Sequence, residues 1–442
     1  MNTKKRMQTA FAVSAALLAG GAFAAGPTIK ECSVTFAQDA ASRCVTIGYE
    51  LEGAPAIVTV DILTNGVSIG AEHLTHMAGD VNRRVEAGAH VVSWQPCKAW
   101  RGNVVRDGSV TAKVSAWALN EPPPYMVVDL AVKGGNAVRY FARAEELPYG
   151  GVTNDAYKTD LLVLRKCPAE NVTWRMGGPA NEVGRIGPRE TAHLVTLTND
   201  FYIGVYPVTQ KQYFNLMSTW PSFYTARREM RPVQSLSFNL IRGSATDGYD
   251  WPKNGSTVAE GTFLHELRKH TGGILFDLPL EAQWEFACRA GCGAALYNGM
   301  EIVSNTNPEN LERLGRCRYS GGRQDGDVAY PADTDPDVGG TAIVGSFEPN
   351  AFGLYDMLGN VWEATRDWYQ EILDDSVDPN VGPLQDTSKP WRVFRGGSIA
   401  EGVNWCRSAS RGPKVPNENN KTSDKCDFGF RVALTVTPGA IP

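Results

Sequence analysis

The chain has 442 residues, enough for two compact units rather than one. Hydrophobic residues make up 43% and charged residues 21%, ordinary globular usage that excludes a disordered or coiled-coil protein. A formal charge of −5, from 43 basic and 48 acidic side chains, gives no basic footprint, so nucleic acid and anionic membranes are set aside as partners.

At the N-terminus, Lys4, Lys5 and Arg6 precede a small apolar stretch from Thr9 to Ala22, and Ala22-Phe23-Ala24 offers a cleavage site. Residues 1–24 therefore read as a signal peptide, with an uncleaved anchor as the alternative. The stretch is short for a membrane span, and no second apolar run is longer. The expected product is exported: periplasmic, secreted or at the cell surface, with no membrane span after cleavage. All nine cysteines lie beyond residue 24, where disulfides would persist, and an odd count leaves at least one thiol without an intramolecular partner. No pair forms a CxxC, and the six histidines lack ligand spacing, so zinc is not supported.

Residues 26–132 read as a small all-β sandwich. Val58, Val60 and Ile62 alternate with other residues, and Asn65-Gly66 supplies a tight turn before Val67 and Ile69. Similar short runs fall at Cys44–Leu51, His90–Trp94, Val110–Ala116 and Tyr125–Leu130. Pro122-Pro123-Pro124 stiffens the last connection, and residues 133–160 read as a polar linker. No catalytic constellation stands out in this half.

Residues 161–436 have a mixed α+β texture with long Gly- and Asp-rich loops. Thr209 with Gln212 predicts a capping box opening a helix through Tyr213 and Met217. Two further helices are expected, over Ala259 to His270 before Gly272-Gly273, and over Glu281 to Arg289. Gly293 to Asn350 shows little periodicity, and a loop that long needs pinning by ions, disulfides or function.

Several ordered blocks in this half resemble the formylglycine-generating enzyme (sulfatase-modifying factor) family. They are Phe201-Tyr202-Ile203-Gly204 through Gln210, Arg231-Pro232-Val233, Leu278-Pro279-Leu280-Glu281-Ala282-Gln283-Trp284-Glu285, and Gly353-Leu354-Tyr355-Asp356 through Glu363. Arg392 to Ser398, Arg407-Ser408-Ala409-Ser410-Arg411 and Gly429-Phe430-Arg431 complete the set. The resemblance implies an irregular, loop-rich C-type-lectin-like fold for residues 161–436; the β-sandwich lies outside it.

Members of that family oxidise a sulfatase cysteine to formylglycine with O₂ and Cu⁺, held by two cysteines just after Gly-Gly-Ser. Soft thiolates suit Cu⁺. Here Gly396-Gly397-Ser398 is followed by Glu401 at the first cysteine position and, on an ungapped count, by Cys406 at the second. Ser398 and Cys406 are the candidate catalytic residues. The resemblance also implies a competing role for Cys406, a disulfide with Cys288. It further implies a structural Ca²⁺ on the side chains of Asp356 and Glu363 and the carbonyls of Gly359 and Val361, chemistry that suits a hard cation. Trp362, Arg395, Glu401, Trp405, Arg407, Arg411 and Asn417 are the candidate binding surface, although the arginines read equally as ties between loops.

Two functions follow. With its copper pair incomplete, the domain is expected to bind a protein, peptide or small-molecule ligand, with reduced or absent cysteine-oxidising activity. The alternative is an active copper-dependent oxidoreductase acting on a sulfatase.

Overall fold

Along Val45–Glu52 every second side chain is buried, and Ala56–Thr64 is buried on both faces over its first half. Each strand seeds a sheet. Val45–Glu52 pairs antiparallel with Thr28–Ile29, Thr35–Gln38 and Gly88–Trp94, and Met77–Gly79 adds to the far side of Gly88–Trp94. Ala56–Thr64 pairs with Val67–Ser68, Arg83–Val85 and Val110–Ala118. Asn65 and Gly66 both have positive φ, 49° and 81°, which is what the two-residue hairpin turn requires. Val45, Ile47, Val58, Val60, Ile62, Val92 and Trp94, drawn from both sheets, share one apolar core. This is a computed structural model, and it describes residues 26–106, 108–321, 333–379, 382, 391–414 and 427–442; the expected signal peptide and Asn417 lie outside them.

The boundary drawn from the sequence needs correction. Tyr125–Asp129, expected in the sandwich, instead pairs with Leu161–Cys167, and Val138–Phe141, inside the expected linker, pairs with Tyr125–Asp129. Together with Phe201–Gly204 and Ala433–Thr435 they form a five-stranded antiparallel sheet. The three central residues of Tyr125–Asp129 are buried, a demand that a free connector would not meet. The proline run thus ends the first unit, and Tyr202 donates its hydroxyl to the Pro123 carbonyl, fastening that exit to the second. Ile57 of the sandwich also packs into the second unit's core.

The helices follow their local signals closely. Gln210–Met217 starts at Thr209, whose hydroxyl takes the Gln212 N–H while the Gln212 side chain takes the Thr209 N–H. Phe263–His270 begins later than Ala259 because Thr262 supplies the cap. Glu281–Arg289 is buried at all nine positions, and its first N–H is satisfied by the Asp367 carboxylate at 2.6 Å.

A second sheet orders Arg411–Lys414, Arg392–Arg395, Trp362–Trp368 and Phe428–Phe430, the last running parallel to Trp362–Trp368. Between Arg289 and Trp362 the described residues contain no helix or strand. Arginine pins this segment: Arg231 donates to the Thr334 and Gly339 carbonyls, and Arg316 to those of Pro336 and Gly340.

Candidate functional site

The register of the second sheet sets Trp362 beside Phe428 and Arg392 beside Lys414. Gly396 and Gly397 then turn the chain with φ of 93° and 74°. A Cβ on Gly397 would stand 2.7 Å from the Cys406 sulfur, so only glycine fits there. This turn delivers Ser398 inward, where its buried hydroxyl donates to the Asp427 carboxylate and accepts the Ala400 N–H at 3.2 Å. Burial raises the Asp427 carboxyl to about 6, against the opposing pull of Lys414 and Ser398.

Around this pair stand Glu401, which accepts the Trp362 indole N–H at 3.3 Å, and Trp405, whose ring meets that of Trp362 edge-on at 5.9 Å. Lys414 lies over the rings of Trp362 and Phe428 at 5.5 and 4.6 Å, and Arg189 over Trp405 at 5.8 Å. Of the group, Glu401, Trp405, Lys414 and Arg189 are part-exposed, whereas Trp362 is buried beneath them. Arg189 and the Ser398–Asp427 bond were not foreseen. Nothing at their own positions marks them, since residues from five separate segments meet here.

Cys406 belongs to the core beneath the site. It is wholly buried, its thiol is pushed well above its ordinary value by that burial, and Cys317 and Glu401 act in the same direction. Cys288 is equally buried, faces the Ser408 hydroxyl at 3.6 Å and is pushed up to about 12, again by burial. The expected Cys288–Cys406 disulfide is absent: both are free thiols, each with its own neighbours.

The three arginines assigned to the binding surface also need correcting. Arg407 sits fully buried between Glu182 and Glu190, the latter at 2.8 Å. Arg411 grips both oxygens of Glu281 at 2.5 and 2.8 Å. Arg395 pairs with Glu285 and donates to the Ser408 and Ser410 carbonyls. A guanidinium with five donors is best satisfied inside, where carboxylates and freed loop carbonyls converge.

The family model described as Sulfatase-modifying factor enzyme 1-like domain matches residues 165–436. The chain belongs to that family. It is 33% identical over 167 residues to the formylglycine-generating enzyme of Mus musculus, covering 37% of this chain and 40% of the mouse protein. To the formylglycine-generating enzyme of Thermomonospora curvata it is 35% identical over 168 residues, 35% of this chain and 48% of that one. It thus spans less than half the length of these two relatives. A solved structure of PvdO from Pseudomonas aeruginosa superposes with a TM-score of 0.43 at 24% identity, over 61% of this chain and 93% of the other.

As a member of the sulfatase-modifying factor family, the chain can be tested against the family's two metals. For Ca²⁺ the residues do not fit. Both Glu363 oxygens accept from Arg431, at 2.9 and 2.8 Å, and one also takes the Trp284 indole N–H at 2.6 Å. A divalent cation there would meet a guanidinium already in place. The Gly359 carbonyl accepts the Val361 N–H at 2.9 Å. Asp356, held in the left-handed region at φ 54°, accepts the Gly345 N–H with one oxygen, and its other oxygen is buried without a partner. Burial raises its carboxyl to about 6. For Cu⁺ the fit also fails. Glu401 is a hard oxygen ligand where a thiolate is needed, and Cys406 is wholly buried in the core, its thiol pushed well above its ordinary value by that burial.

Proposed function

We propose that this protein is an exported member of the sulfatase-modifying factor family that binds a protein or peptide ligand without oxidising cysteine, on a C-type-lectin-like scaffold. One observation carries the reading: the turn after Gly396-Gly397-Ser398 offers Glu401 to the surface and keeps Cys406 wholly buried. Such a turn supports recognition but not thiolate chemistry. Glu401 and Lys414 supply opposite charges, and Trp405 supplies a part-exposed ring, a combination suited to a peptide bearing both polar and apolar side chains.

The test uses the full chain with Cu⁺, O₂ and a peptide carrying Cys-x-Pro-x-Arg, followed by mass spectrometry. The expected result is no aldehyde above the protein-free control, and no alkylation of Cys406 until the protein is denatured. Aldehyde formed at a rate that rises with protein concentration would restore the copper-dependent oxidoreductase and discard the binding reading.

A further inference from the structure

A cleft of about 530 Å³ opens between the sandwich and the second unit. Leu74 and Met77 line it from the first, and Arg139, Phe141, Glu146 and Tyr149 from the second. Its volume falls in the range that small-molecule sites occupy, and domain junctions are where such sites collect.

Arg139 is the unusual member. It lies on Val138–Phe141, is part-buried, and its guanidinium has neither a hydrogen bond nor an ion pair among the described residues. The surrounding carboxylates are spoken for. Glu146 accepts from Arg143 at 2.8 Å and from the Ala142 N–H at 3.1 Å. Asp129 accepts the N–H groups of Ala131 and Val132, and Asp80 pairs with Arg83 at 3.2 Å and His90 at 2.9 Å. Burial and the nearby charge of Arg83 disfavour the Arg139 cation and outweigh the favourable charge of Asp129, so a bound anion would relieve it. At the mouth, Tyr149 is held at φ 64° with 66% of its surface exposed. That conformation is rare for an aromatic residue and recurs at ligand clamps.

We propose that this cleft is a binding site for a small amphipathic carboxylate, its carboxylate paired with Arg139 and its hydrocarbon part laid on Leu74, Met77, Phe141 and the ring of Tyr149. A guanidinium receives a carboxylate through two parallel hydrogen bonds, and the apolar wall of Leu74, Met77, Phe141 and Tyr149 stands beside polar Thr75, His76 and Asn82. The site is separate from the Glu401 face, and neither depends on the other.

Titration calorimetry of the full chain with octanoate tests it, with octanol as the uncharged match. Saturable one-to-one binding of octanoate is expected, with octanol about tenfold weaker, the usual worth of a charged hydrogen-bonded pair. Arg139→Gln should weaken octanoate by about the same tenfold factor and leave octanol unchanged. Tyr149→Ala, at an exposed ring, should weaken both ligands about threefold through lost apolar contact. If Arg139→Gln does not fold, the octanoate-to-octanol ratio of the unaltered chain and the Tyr149→Ala result decide the matter. The proposal is overturned by octanol binding as tightly as octanoate, by an Arg139→Gln protein that keeps full octanoate affinity, or by no saturable octanoate binding up to about 10 mM, near the limit of weak specific association.

Discussion

The two halves of this chain are held together by different means. In the sandwich, charges stay near the surface, as in Lys30–Glu50 and Arg84–Glu86, and the core is apolar alternation closed around Trp94. In the family domain, Arg231, Arg242, Arg392, Arg395, Arg407, Arg411 and Arg431 are fully buried. Their guanidinium groups tie strands, helices and irregular loops through carboxylates and carbonyls. A domain with long stretches lacking helix or strand leaves many backbone groups without ladder partners, and arginine meets that need from a distance. Where regular ladders already satisfy the backbone, apolar packing suffices.

The sharpest way to break this contrast is Arg407→Ala. It would leave Glu182 and Glu190 buried without their cation, and a loss of about 3–5 kcal/mol is expected in denaturant unfolding. A loss below 1 kcal/mol would mean that the buried network is ornamental.

Next in size is Asp427→Asn. The Asp427 carboxyl is raised to about 6 in the folded protein from an ordinary value of 3.8, so between those pH values the folded state holds more protons than the unfolded one. Stability should therefore fall as pH rises from about 4 to 6 and stay reduced above. The substitution removes this part of the pH dependence and stabilises the protein near pH 7 by up to about 2–3 kcal/mol. An unchanged stability profile between pH 4 and 7 would contradict the assignment.

In the sandwich, Ile47→Val removes one buried methylene and should cost about 1 kcal/mol, with no change in pH dependence. Smallest of all is Lys30→Ala, at an exposed pair, where the melting temperature should not move measurably. A clear drop there would erase the distinction between the halves.

Much of the local structure was legible in the residues. Asn65-Gly66 specified a hairpin, Thr209 with Gln212 a helix start, and Glu281 to Arg289 a helix, because each signal acts over a few neighbouring residues. The family blocks were legible as well, since their order along the chain survives divergence. The assignment of Tyr125–Asp129 was not: a strand's pattern says that it is half or wholly buried, not which sheet takes it.

The site divides along the same line. The sequence by itself determined that Glu401 stands where a copper thiolate is expected and that Ser398 ends a glycine turn. Only the tertiary structure decided that Cys406 is sealed in the core apart from Cys288, that Glu363 serves Arg431, and that Asp427 meets Ser398. A charged or thiol side chain takes its chemistry from whichever groups surround it, and here those groups come from 29 positions away, as with Ser398 and Asp427, to 225, as with Arg407 and Glu182. Patterns repeated along the chain reveal elements; burial and partner, which set protonation and ligand capacity, come from the fold.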